Sequence, residues 1–131
     1  LDVVLPETDV VVVALALTSE TEGIINRKRL SLLPPNAIVI NVARGKHIIT
    51  TDLVNALKNR DIAGAGLDVT DPEPLPTGHD LWGFSNCLIT PHIGNTPEMG
   101  IALLAQRIEE NVARYIGGED LLGCIDIGAG Y

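Results

Sequence analysis

The 131-residue chain is long enough for one domain around a single core, and at 46% hydrophobic against 20% charged it is built to fold rather than stay disordered. Nine basic against seventeen acidic residues leave a net charge of −8, which disfavours nucleic acid and anionic membrane surfaces as partners. One local arginine can still anchor an anionic substrate.

The first expected strand is the β-branched run Asp9 to Leu17, apolar on both faces and so expected to be covered on both. Its apolar part, Val10 to Leu17, is too short to cross a bilayer. Asn26 can cap a helix from Arg27 to Leu33, which Pro34-Pro35 ends. A second two-faced strand spans Ala37 to Ala43. Thr50 or Thr51 then caps a helix through about Asn59, with Leu53, Val54 and Leu57 inward. The third strand covers about Ile62 to Val69, where Gly64 and Gly66 imply close approach of a backbone or ligand. Thr70 to Ser85 is a long connection with Pro72, Pro74 and Pro76 and no obvious secondary structure, and such loops tend to be functional. The fourth strand is Asn86 to Thr90. Thr96-Pro97-Glu98 opens a helix running to about Ile116 and stopping at Gly117-Gly118. Ile101, Leu104, Ala105, Ile108, Val112 and Tyr115 recur on it at helical spacing, as a buried stripe would. Alternating strands and helices predict an α/β domain, part of a doubly wound parallel sheet, with a long C-terminal helix.

Cys87 and Cys124 lack CxxC or metal-type spacing and read as buried or incidental thiols of a reducing compartment; no metal site is expected. No secretion signal is recognisable, so the cytoplasm is the default location. The chain enters its first strand within nine residues of Leu1 and is expected to be a piece lacking an upstream portion.

Three ionisable residues each follow a strand-like run: Arg44, Glu73 and His92. In an open parallel sheet ligands bind beyond the carboxyl ends of the strands, so a cation, a carboxylate and an imidazole there suggest an anchor, an orienting acid and a proton-transfer base. A dinucleotide domain should also carry G-x-G-x-x-G between a strand and a helix. None is present: Gly64-Ala65-Gly66 runs on into a strand, and Gly128-Ala129-Gly130 has no helix after it.

Asn41-Val42-Ala43-Arg44-Gly45, Gly66-Leu67-Asp68-Val69, Pro72-Glu73-Pro74-Leu75-Pro76 and Thr90-Pro91-His92-Ile93-Gly94 occur in an order and spacing that resembles the D-isomer-specific 2-hydroxyacid dehydrogenases. The resemblance covers essentially the whole chain. It implies a partial Rossmann-like sheet, with residues 1–116 as the C-terminal portion of an NAD(P)-binding domain and 117–131 as a tail that packs, from about Leu121 to Tyr131, on an absent substrate domain. It further implies NAD or NADP as cofactor and hydride transfer between it and a D-2-hydroxy acid/2-oxo acid pair. Arg44 would grip the substrate carboxylate and polarise its keto oxygen. His92 would exchange the proton, and Glu73 would hold the other ring nitrogen. Leu15, Val42, Ala43, Arg44, Asp68, His92 and Gly94 would contact the cofactor, with Asp68 facing the nicotinamide carboxamide. His47 and His79 match no motif position and read as loop or surface residues.

Two departures stand out. The family usually has Pro where this chain has Ala16, which leaves the cofactor-facing loop more backbone freedom, and Lys46-His47 replaces the small residues often found after Arg-Gly. The expected partners are a small 2-hydroxy or 2-oxo acid and a second copy in a homodimer, with no nucleic acid and no membrane; the isolated piece is expected to be inactive. A non-catalytic, dinucleotide-sensing corepressor-like protein is the alternative, since fold alone does not separate the two. A chain that merely dimerises is a third.

Overall fold

The computed structural model describes residues 1–128, so residues 129–131 of the expected tail, and with them Ala129-Gly130, lie outside the described residues. The chain divides into two compact units, Leu1–His92 and Ile93–Tyr131.

The first unit runs β1 (Val10–Val13), α1 (Arg27–Leu30), β2 (Ile38–Asn41), α2 (Thr50–Asn59), β3 (Gly64–Leu67) and β4 (Cys87–Ile89). The four strands form one parallel sheet in the order β1-β2-β3-β4. Their register aligns Val13, Asn41, Leu67 and Ile89 in a single row at the carboxyl edge. All four chains therefore leave the sheet side by side.

The strands are shorter than their apolar runs. β1 stops at Val13 because its partner β2 ends at Asn41, and Ala14–Leu17 continue as a loop. That loop is closed by Thr21, whose hydroxyl donates to Ala16 O (2.7 Å) and accepts from Thr18 N–H (2.8 Å). The Asn26 side chain caps α1 by accepting from Arg29 N–H at 3.2 Å. Leu32 and Leu33 continue α1 only as single turn-type bonds to Arg29 and Leu30, short of the expected end at Leu33. Thr50 is not the cap of α2. It is the first helical residue after Ile49, and its hydroxyl donates instead to Asp71 O (2.6 Å) in the connection after β3.

One core fills one side of the sheet, where Val13, Val39, Ala65 and Leu67 meet Leu30 and Leu33 of the α1 region and Leu53, Ala56 and Leu57 of α2. Val54 is only half-buried at its edge. The other side does not match the expectation of two covered faces: Val10, Val12, Ile38 and Leu88 are exposed. In a strand, alternate side chains point to opposite faces, and both helices of this unit feed the same core. The two glycines of β3 also differ. A Cβ on Gly64 would lie 2.8 Å from Asn86 O, so strand approach requires glycine there, whereas at Gly66 the nearest atom is Ile40 Cγ1 at an ordinary 3.8 Å.

The connection from Thr70 to Ser85 contains a 3₁₀ turn, Asp80–Gly83, with the buried Leu81 as its anchor. His79 lies in this loop as expected, half-buried, with Nδ1 accepting from Leu81 N–H at 3.2 Å.

The second unit is mainly α3 (Pro97–Gly117), ended by Gly118 in the left-handed conformation (φ 69°). Asn111 ties it to the following segment through two bonds with Leu122, at 3.0 and 2.9 Å. The expected buried stripe is exposed: Ile101, Leu104, Ala105, Ile108, Val112 and Tyr115 all face solvent. Its amphipathic pattern demands a partner, and among the described residues of its own unit there is no second helix or sheet to supply one.

Candidate active site

The candidate residues of the first unit other than Glu73, which lies farther along the connection after β3, sit just beyond the aligned row that ends the strands. Leu15 follows β1; Val42, Ala43 and Arg44 follow β2; Asp68 follows β3; His92 follows β4. Gly94 belongs to the second unit. Leu15 and Val42 are exposed and Ala43 is buried.

Glu73 and His92 come together. His92 Nδ1–H donates to Glu73 Oε1 at 2.6 Å, a charge-assisted geometry that leaves Nε2 for proton exchange. Both side chains are exposed, at 46% and 42%, so the pair is open to solvent and to a ligand. His92 has φ 56°, in the left-handed region where histidine, asparagine and aspartate are the non-glycine residues most often found. Non-glycine residues held there cost about 1–3 kcal/mol and cluster at functional sites.

Asp68, only 8% exposed, accepts from the Thr90 hydroxyl at 2.5 Å, which fixes its carboxylate at the β3–β4 boundary. Asp68, Glu73 and His92 open on one cavity of about 400 Å³, walled by Leu75, Trp82 and Ile89. Trp82 is held by its indole N–H, which donates to Pro76 O at 3.1 Å.

Arg44 does not line that cavity, and its Nη1 donates to Ala43 O at 2.6 Å. Its main chain is nonetheless tied to the Glu73 loop. A Cβ on Gly45 would overlap the Thr70 carbonyl and sit 2.6 Å from Asp71 N, so only glycine lets the Arg44 turn lie against the start of that loop. Asn41, buried to 1% in an otherwise apolar strand, shapes the same turn: its amide donates to Arg44 O (2.9 Å) and its Oδ1 accepts from Ala43 N–H (3.1 Å).

His47 corrects the reading of that residue as a loop or surface histidine: its exposure is 0%. Its ring sits between Arg44 N–H (3.2 Å from Nδ1) and Ala16 O (3.2 Å from Nε2). The signal available in sequence was its spacing of three from Arg44, the reach of a side chain folding back on the start of a helical turn. Nothing in the sequence signalled its contact with Ala16. Cys87 is half-buried, and burial pushes its thiol up to about 11; Cys124 is exposed. Among the described residues no group of three or more potential metal ligands occurs, and no helix is long and apolar enough to cross a membrane.

Residues 1–94 match the family model of the D-isomer specific 2-hydroxyacid dehydrogenase, NAD binding domain. The chain belongs to this family. A glyoxylate reductase of Pyrococcus furiosus is 42% identical over 119 residues, 91% of this chain and 35% of the relative. Among solved structures, a D-isomer specific 2-hydroxyacid dehydrogenase of Xanthobacter autotrophicus in complex with NADPH and MES superposes with a TM-score of 0.86 at 42% identity, over 98% of this chain and 54% of that one. An NADPH-dependent glyoxylate/hydroxypyruvate reductase of Sinorhizobium meliloti in complex with NADP and sulfate gives 0.90 at 32% identity, over 99% and 42%. The chain thus spans well under half the length of the curated relatives it matches. The Rossmann-like fold of the 2-hydroxyacid dehydrogenases accounts for the parallel sheet and its open carboxyl edge.

Proposed function

We propose that the protein carrying this chain is an NAD(P)-dependent dehydrogenase interconverting a D-2-hydroxy acid and its 2-oxo acid, with a small 2-oxo acid of the glyoxylate or hydroxypyruvate type as substrate. The observation that carries this reading is the His92–Glu73 pair, bonded at 2.6 Å beside the buried Asp68 carboxylate on one cavity at the carboxyl edge. A cavity of about 400 Å³ with the Asp68 carboxylate, the Glu73–His92 pair and an apolar wall suits the flat amide-bearing end of a nicotinamide cofactor. When bound, the cofactor supplies or accepts the hydride.

In this reading Asp68 accepts a bond from the carboxamide and so orients the ring. Arg44 exchanges its bond with the neutral Ala43 carbonyl for the substrate carboxylate, whose opposite charge and two oxygens match the planar guanidinium fork. His92 Nε2 gives a proton to the carbonyl oxygen on reduction and takes it back on oxidation. Glu73 holds Nδ1, fixing the ring's tautomer and favouring the cationic form while the oxygen carries charge. The tally is one 2-oxo acid, one reduced cofactor and one proton to one 2-hydroxy acid and one oxidised cofactor. Residues 1–116 would form the C-terminal portion of the NAD(P)-binding domain, with 117–131 packing on a substrate domain. A homodimer in the cytoplasm completes the proposal.

The test is a panel of 2-oxo acids with NADH and NADPH, using the full-length protein. Turnover of at least one acid is expected, with loss of turnover in His92→Asn, a substitution that tolerates the left-handed backbone. Arg44→Ala should raise KM and lower kcat. Near-normal turnover by His92→Asn would overturn the mechanism, and cofactor binding without turnover of any acid would favour a sensing role. Sedimentation of the same protein as a monomer would remove the homodimer.

A further inference from the structure

His47 is a buried, titratable side chain that the mechanism above leaves unused. Its surroundings connect two parts of the carboxyl edge. A proton on Nε2 lets the ring donate to Ala16 O (3.2 Å), in the loop after β1, and leaves Nδ1 to accept Arg44 N–H (3.2 Å). Nδ1 also lies 3.0 Å from Arg44 O, so a second proton there would keep the ring on the Arg44 main chain through the carbonyl instead. In either state the imidazole spans Arg44 and Ala16. The rest of its peptide is anchored too: His47 O accepts from Ile25 N–H (2.9 Å), and His47 N–H donates to Arg44 O (3.2 Å).

Main-chain bonds join the neighbours of the two bridged segments, Val42 N–H to Val13 O (3.2 Å) and Gly23 N–H to Lys46 O (2.8 Å), while the His47 ring bonds Arg44 and Ala16 themselves. Arg44 itself is exposed, and the Arg44 guanidinium has Ala43 O as its bond partner. The Ala16 loop is closed locally by Thr18 and Thr21, and Ala16 O is shared between the Thr21 hydroxyl (2.7 Å) and the His47 ring. The two departures noted in the sequence, Ala16 for proline and His47 for a small residue, are in contact: the freer loop is the one the histidine holds.

We propose that His47 is a positioning residue that sets the direction of Arg44 and couples it to the loop after β1. The inference rests on the reading of Arg44 as the substrate anchor. Side-chain direction follows the Cα–Cβ bond, so rotating the Arg44 peptide moves the guanidinium by more than the peptide itself moves. A misplacement of about 1 Å at a positioning group is enough to cost about a hundredfold in rate.

The test uses the full-length protein. Wild-type turnover of a 2-oxo acid is measured first, and its absence counts against the functional reading as a whole. With turnover present, His47→Leu should raise KM for the 2-oxo acid about tenfold or more, because it removes both ring bonds. His47→Asn should restore most of that loss, since its Oδ1 takes the place of Nδ1 and accepts Arg44 N–H. His47→Gln, which reaches the Nε2 position but not Nδ1, should not. In an Arg44→Ala background, His47→Leu should change KM by less than about twofold, since residues acting through one group are non-additive. A merely structural histidine would lower stability without this Asn/Gln split and with effects that multiply. Equal KM values for His47→Asn and His47→Gln overturn the proposal even if His47→Leu does not fold, and so does a fully additive cycle.

Discussion

Replacing Gly45 by alanine adds one methyl group where two main chains already touch. The new Cβ would overlap the Thr70 carbonyl and lie 2.6 Å from Asp71 N, so relief requires main-chain movement, not a rotamer change. Neither side yields easily. The Thr70–Asp71 segment is held to α2 by the Thr50 hydroxyl on Asp71 O (2.6 Å) and braced within the connection by Thr70 Oγ1 on Pro72 O (2.9 Å). The Arg44 turn is held by the Asn41 amide on Arg44 O (2.9 Å). Overpacking of this kind costs about 1–3 kcal/mol. With a urea slope of about 1–3 kcal/mol per molar, the unfolding midpoint should fall by about 1 M. The same movement shifts Arg44 relative to Glu73 by about an ångström, and kcat/KM should fall by about two orders of magnitude. Gly83→Ala is the control: nothing lies within 4 Å of its Cβ, and its stability should stay within about 0.5 kcal/mol of wild type. Urea melts and steady-state kinetics on the intact protein read both numbers. A Gly45→Ala protein with wild-type midpoint and turnover would refute the close-approach argument.

Asn41→Ala leaves the buried Ala43 N–H without its 3.1 Å acceptor and the Arg44 carbonyl without its 2.9 Å amide donor, and should cost about 1–3 kcal/mol in a urea melt; a wild-type midpoint would be evidence against the turn described here. Glu73→Gln replaces a carboxylate acceptor by an amide in a bond of 2.6 Å and should lower kcat about ten- to a hundredfold with little change in KM, so an unchanged kcat removes Glu73 from the mechanism. In native protein at mildly alkaline pH, iodoacetamide should label the exposed Cys124 and spare Cys87, whose thiol ionises only near 11; rapid labelling of both would contradict its burial. The sign of the linkage follows from the same shift. The folded value is raised above the ordinary 9.0, so the unfolded chain releases that proton first and the Cys87 contribution to stability falls from about pH 9 to 11. A Cys87→Ala variant should lose that part of the alkaline decline, and an identical alkaline profile would count against it.

The sequence alone determined the alternation of strands and helices, the end of α2 and the start of α3, and it singled out Arg44, Glu73 and His92 as candidates, because periodicity and turn chemistry act over a few residues. Its four motif strings also led to the family. Burial was a different matter. The stripe on α3 and the second face of the sheet show the right pattern without a covering partner in the described residues, since a pattern records what a face prefers and not what lies against it. Only the tertiary structure aligned Val13, Asn41, Leu67 and Ile89 in one row, and with it brought Glu73 to His92 across 19 residues of chain and His47 to Ala16 across 31. Gly45 and His47 were visible as letters. Their roles depend on where another stretch of main chain passes, and parallel strand pairing settles that over distances no local pattern spans.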